Sequence, residues 1–81
     1  PTSAINIYPN PSGEWFIIEN ENYDKRWNLS LYDLTGKLIL QRTQITKSNI
    51  TIHRGDIKHG IYTLTITDGK GKVQSTKIIF K

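Results

Sequence analysis

The chain has 81 residues, which is enough for one small domain and no more. Apolar residues make up 36% of it, low for a globular domain but too high for a disordered one, and no apolar run is long enough for a membrane-spanning helix. Cysteine is absent, which excludes disulfide staples, thiolate catalysis and cysteine-ligated zinc, so Ile, Leu, Trp, Tyr and Phe must build the core.

The net charge of +4 is unevenly spread. Residues 1–33 carry two cations against five carboxylates, a net of −3, while residues 34–81 carry nine against two, a net of +7. A basic half invites an anionic partner. Single lysines guarding strand edges account for the same charge without a dedicated anion site.

In chain order, Pro1-Thr2-Ser3-Ala4 lacks the charged and apolar regions of a signal peptide, so the chain is expected to be a piece of a longer protein. Ile5 to Tyr8 reads as a strand. Tyr8-Pro9-Asn10-Pro11 should end it, because residues before proline are pushed into extended conformations and proline cannot donate a ladder hydrogen bond. This segment is expected to be a rigid corner crossing between two sheets, with Ser12-Gly13 turning into a second strand over Glu14 to Glu19. Residues 20–26 form a polar connection.

Trp27, Leu29 and Leu31 then alternate with Asn28, Ser30 and Tyr32, the period of a half-buried strand. Asp33-Leu34-Thr35-Gly36 predicts a type I turn with a glycine bulge, joining that strand to one over Leu38 to Ile45. Ile50 and Ile52 alternate with Asn49, Thr51 and His53. Asp56-Ile57-Lys58-His59 allows a single turn, stopped by Gly60. Tyr62, Leu64 and Ile66 alternate with threonines, which suit a solvated pleated face. Asp68-Gly69-Lys70-Gly71 should close a second hairpin into Val73 to Phe80. The sum is about seven strands and no helix. Two packed sheets bury more apolar surface than one open sheet, so the expected fold is all-β, a small seven-stranded antiparallel sandwich of immunoglobulin-like type.

No catalytic constellation emerges. His53, Asp56 and His59 supply three metal ligands at most, loosened by Gly55 and Gly60, where zinc needs three or four that converge. None of the five serines lies in the frame of an activated nucleophile. Glu14 and Glu19 flank one strand without the cleft that glycoside hydrolysis demands. Arg54-Gly55-Asp56 spells a known adhesion tripeptide and is read as coincidence. No cofactor is implied. A basic half with Trp15, Trp27, Tyr23, Tyr32 and Tyr62 leaves a nucleic-acid-binding β domain as a rival reading, although the tryptophans fall in the acidic part. An adhesive or carbohydrate-binding module, with an exposed aromatic platform, is the other.

Four phrases recur in a fixed order: Tyr8-Pro9-Asn10-Pro11, then Leu31 to Lys37 with Tyr32, Asp33, Gly36 and Lys37, then Gly60-Ile61-Tyr62, then Lys77-Ile78-Ile79-Phe80-Lys81. In this the chain resembles the C-terminal sorting domains (type A) of proteins exported by the type IX, or Por, secretion system of Bacteroidetes bacteria. The match runs from Ile5 to Lys81. It departs from the family before Gly60, where an aliphatic-Asp-aliphatic-Ser pattern ahead of a Leu is replaced by Ile52-His53-Arg54-Gly55-Asp56-Ile57.

The resemblance implies a β-sandwich over residues 5–81 that labels an upstream cargo, with residues 1–4 as the end of the linker. It implies recognition by secretion machinery that includes an outer-membrane shuttle protein, then removal by a cell-surface sortase-like peptidase and replacement by a surface anchor. The domain would pass through the periplasm to the outer-membrane surface or the medium, with no catalysis of its own and no nucleic acid as partner; a homodimer is allowed. The recognition residues it implies are the motif positions just named, from Tyr8 to Lys81. The last strand could add to a partner's sheet by backbone pairing.

Overall fold

A computed structural model describes residues 5–9, 13–20, 26–69 and 71–81. Among them are seven strands: β1 (Ile5–Tyr8), β2 (Trp15–Asn20), β3 (Trp27–Tyr32), β4 (Leu38–Ile45), β5 (Asn49–His53), β6 (Gly60–Thr67) and β7 (Val73–Phe80). They form a three-stranded sheet in the order β1-β2-β5 and a four-stranded sheet in the order β4-β3-β6-β7, with every pairing antiparallel.

Period-2 patterning sets the two faces of each sheet. Trp27, Leu29 and Leu31 of β3 and Tyr62, Leu64 and Ile66 of β6 are all buried, while the residues between them face outward. Phe16, Ile18 and Ile52 meet them from the smaller sheet, and Ile78 and Phe80 of β7 complete the core. Trp27 is fully buried and its indole Nε1 donates to the Lys47 carbonyl at 2.8 Å, so its one polar atom is satisfied.

The two predicted hairpins share one design. In each, an aspartate at the end of one strand accepts from the amide three residues on, Gly36 to Asp33 at 3.0 Å and Gly71 to Asp68 at 3.2 Å. Both glycines adopt positive φ, 89° and 86°, as the bulge of such a turn requires. The expected corner at Tyr8-Pro9 is different. β1 and β2 are neighbours in the same sheet, with Tyr8 opposite Ile17, so the chain does not cross between sheets there. Pro9-Asn10-Pro11 predicts a bend but carries no information on which sheet receives the next strand. Asn10, Pro11 and Ser12 lie outside the described residues.

The four edge strands are unequal. β1 and β5 are short, at four and five residues. β4 has eight, but its register against β3 shifts twice, between Trp27 and Leu29 and between Leu31 and Tyr32. The first bulge places Gln44 at φ 53°, with its amide donating to Asn28 Oδ1 at 2.8 Å. Bulges break the regular ladder that a foreign strand would copy. β7 has none: its eight residues pair with β6 in one unbroken register.

Leu64 is fully buried at the centre of the larger sheet. Leu64→Ala should cost about 3–4 kcal/mol in urea denaturation, from lost transfer energy and the cavity left behind. Val73→Ala, on an outward site that is 57% exposed, should stay within about 1 kcal/mol.

Candidate functional site

The register brings the motif residues to one end of the sandwich. β1 ends there at Tyr8, β3 ends at Tyr32, β4 begins at Leu38 after the Asp33–Lys37 turn, β6 begins at Gly60, and β7 ends at Phe80 opposite Gly60. Phrases dispersed over more than seventy positions therefore share one pole. Tyr8 itself lies on the outer face of the smaller sheet.

Each phrase does local physical work at this pole. Asp33 Oδ1 accepts from the Thr35 amide at 2.9 Å, the Thr35 hydroxyl at 2.6 Å and the Lys37 amide at 3.0 Å. These bonds, the Thr35 hydroxyl first and then the Lys37 amide, favour the ionised form and hold the carboxyl below its ordinary pKa. Gly60 has φ 154°, a region that side chains rarely adopt. An added Cβ would find ordinary contact, 3.8 Å from the Tyr62 ring, so the backbone angle and not space demands glycine.

Tyr62 is buried and anchors the last strand. Its hydroxyl donates to the Lys58 carbonyl at 2.6 Å, and its ring meets Phe80 edge-on at 5.7 Å between centroids. Phe80 contacts Phe16 of the opposite sheet at 5.6 Å, so three rings close this end of the core. Lys77 and Ile79 face outward on β7, while Ile78 is buried opposite Tyr62. The His59 Nδ1 contacts the Lys81 carbonyl, which ties the end of β7 to the loop before Gly60.

Arg54 is the residue that sequence reading missed. Its amide donates to the Glu14 carbonyl at 2.7 Å, its Nε to the Gly13 carbonyl at 3.2 Å and its Nη1 to the Ile57 carbonyl at 2.6 Å. The guanidinium thus clasps the turn before β2 to the loop before β6, across 41 positions of sequence. Its contact with Glu14 Oε1, at 3.9 Å, reaches a carboxylate that is 80% exposed and adds little. The side chain that might have read as part of an adhesion tripeptide is committed to two carbonyls. Only the fold shows this, because nothing near Arg54 in the sequence marks Gly13 as its partner.

An open cleft of about 440 Å³ lies between the Asp33–Lys37 turn and the 54–59 loop, with Ile39, Ile57 and Tyr62 as its apolar floor and Asp56 and Lys58 on its rim. Among the described residues no group of three or more His, Cys, Asp or Glu side chains is placed to hold a metal. The aromatics that a base-stacking surface would need are divided. Trp27 and Tyr62 are core residues, Tyr32 is half-buried, Trp15 lies on the other sheet, and Tyr23 is outside the described residues. Tyr8 and Trp15 are exposed on the outer face of the smaller sheet, where the Tyr8 hydroxyl donates to Glu19 Oε2 at 2.8 Å. That carboxylate holds the phenol above its ordinary pKa.

The profile of the secretion system C-terminal sorting domain matches residues 6–81. The chain belongs to this family. The sorting domain is a type IX secretion signal, and that assignment favours neither the carbohydrate-binding nor the nucleic-acid-binding reading. The chain is 28% identical over 78 residues to the ulvan lyase NLR42 of Nonlabens ulvanivorans, an alignment that takes in 95% of this chain but 14% of that protein. A crystal structure of a DUF3244-family protein from Bacteroides vulgatus, with an immunoglobulin-like β-sandwich fold, superposes over the whole of both chains with a TM-score of 0.76 at 15% identity. That likeness shows the fold.

Two outcomes follow for the sorting-domain motifs. Gly60→Ala should lower stability by roughly 1–3 kcal/mol by urea denaturation, the usual cost of a side chain at such a φ. Asp33→Asn should change the acid limb. Because the folded-state pKa of Asp33 is depressed, its contribution is fully present above about pH 4 and is lost as pH falls through the folded value. The variant should be less stable than the parent at pH 7, and the gap should narrow as pH falls below about 4.

Proposed function

We propose that residues 5–81 form a removable address at the end of a longer exported protein, with residues 1–4 as the last part of the linker from its cargo. The single observation that supports this best is the convergence of four separate sequence phrases on one pole, beside the one long edge strand with unbroken register. A recognised signal needs a fixed surface, and this pole offers one beside an edge strand. The recognition residues of this reading are Tyr8, Pro9, Asn10, Pro11, Tyr32, Asp33, Gly36, Lys37, Gly60, Tyr62, Lys77, Ile78, Ile79 and Lys81, of which Asn10 and Pro11 lie outside the described residues.

In this reading the cargo and its address cross the periplasm together. An outer-membrane shuttle protein takes up the domain, and a sortase-like peptidase cuts the chain before Ile5, around residues 1–4 or upstream. A surface anchor then replaces the domain on the cargo. The domain is the substrate of that chemistry and contributes no catalytic group. Cargo identity is a separate matter, since the chain spans about one-seventh of the relative it matches, and a polysaccharide lyase is one kind of cargo consistent with that relative.

A reporter carrying a periplasmic export signal and this chain at its end tests the reading in a bacterium with the type IX machinery. The intact chain should deliver the reporter to the surface or medium, and deletion of Thr76 to Lys81 should leave it in the periplasm. Export of the truncated form, or periplasmic retention of the intact one, would sink the proposal.

A further inference from the structure

Seven large hydrophobic side chains are exposed among the described residues, and four of them, Leu34, Leu38, Ile61 and Ile79, lie at the motif pole on the side of the larger sheet. The register makes them neighbours. Leu38 opposes Tyr32, Tyr32 opposes Thr63, and Ile61, two residues before Thr63 on the same face, opposes Ile79. Leu34 stands at the tip of the turn beside them and is 72% exposed. Scattered single hydrophobics need no explanation, but a contiguous group rimmed by polar residues marks an interaction surface.

Cations outnumber acids around this corner. Lys37 precedes Leu38, Lys77 faces outward two residues before Ile79, and Lys81 follows Ile79 by two. No outward strand position of this face carries a carboxylate: β3 offers Asn28, Ser30 and Tyr32, and β6 offers Ile61 and threonines. The nearest acid, Asp33, directs its Oδ1 into its own turn.

We infer that this corner of the outer face docks a protein surface of complementary kind, apolar side chains ringed by carboxylates, and that this surface belongs to the export machinery. The inference rests on the sorting role proposed above and says which face of the domain is read. Three lysines are fewer than the four to eight that mark recognition of anionic lipid, which favours a protein partner over a membrane surface. The whole outer face, four strands about 4.8 Å apart and at most eight residues long at about 3.4 Å each, is no more than roughly 500 Å², so its corner buries less than the roughly 600 Å² per partner at the low end of interfaces and suits a transient contact.

The same reporter tests this with paired substitutions. Ile61→Ser with Ile79→Ser, and separately Lys37→Glu with Lys77→Glu, should each reduce surface delivery at least tenfold. Lys72→Glu and Val73→Ser, at the opposite pole, should leave delivery at the parental level. Purified variants should keep the parental far-UV circular dichroism and unfolding midpoint, because every substituted side chain is exposed. If the truncation at Thr76 blocks export while both corner pairs are exported normally, the corner is not the docking face and the sorting role stands. If the truncation is exported, the sorting role itself fails. Co-sedimentation of the parent chain with vesicles rich in anionic lipid, abolished by Lys37→Glu with Lys77→Glu, would replace the protein partner with a lipid surface and overturn the inference.

Discussion

The ring of Phe80 holds this sandwich shut at one end. It sits against Phe16 from the smaller sheet and Tyr62 from its own, and it belongs to the final turn of the ladder between β6 and β7. With that ring in place, β7 is fixed in register, Gly60 faces Phe80 across the pair, and the loop before Gly60 is drawn close enough for His59 to reach the Lys81 carbonyl. The Tyr62 hydroxyl then fastens the same loop through Lys58. A last strand that anchored only by its ladder would be free to fray; here an apolar plug roots it in the core. Ile79 and Lys77 can face outward on a rigid frame because Ile78 and Phe80 face inward.

A domain that carries an address has different needs from an enzyme. It folds without cysteine and presents outward side chains on a fixed frame. The division of labour at the pole follows from that. Asp33, Gly36, Gly60, Tyr62 and Arg54 spend their chemistry on the backbone around them, and each is used up locally. The residues between them, such as Lys77 and Ile79, face outward. Motif residues of the first kind explain why the pole has a shape, and those of the second kind give it chemistry.

The fold was legible where local rules decide it. Alternation in Trp27 to Tyr32 and in Tyr62 to Thr67 fixed both strands and their buried faces, and two Asp-x-x-Gly turns named their own geometry. The edges of legibility are physical too. Leu38 to Ile45 reads as one strand, yet two bulges erase its alternation, because the extra residues are set by the partner strand and leave no local mark. Pro9-Asn10-Pro11 predicts a crossover between sheets, whereas β1 pairs with β2, because strand pairing is a matter of long-range packing. Trp27 and Tyr62 were candidates for an exposed aromatic surface, and both are core. Arg54 could not be read at all, since a guanidinium bonded to distant carbonyls has the same sequence appearance as one in water. The motif positions were legible as phrases, and only their meeting at one pole required the structure.

The bulged β4, the short β1 and β5 and the regular β7 together set how many molecules can join by strand addition. An object with two copyable edges can propagate into filaments; one with a single copyable edge can only be capped. Once β7 is paired, whether with a partner's strand or with β7 of a second copy, the edges that remain are the bulged β4 and the short β1 and β5. Strand addition beyond that first pairing is therefore disfavoured by the fold. For a sorting signal made in many copies, that limit separates being recognised from aggregating.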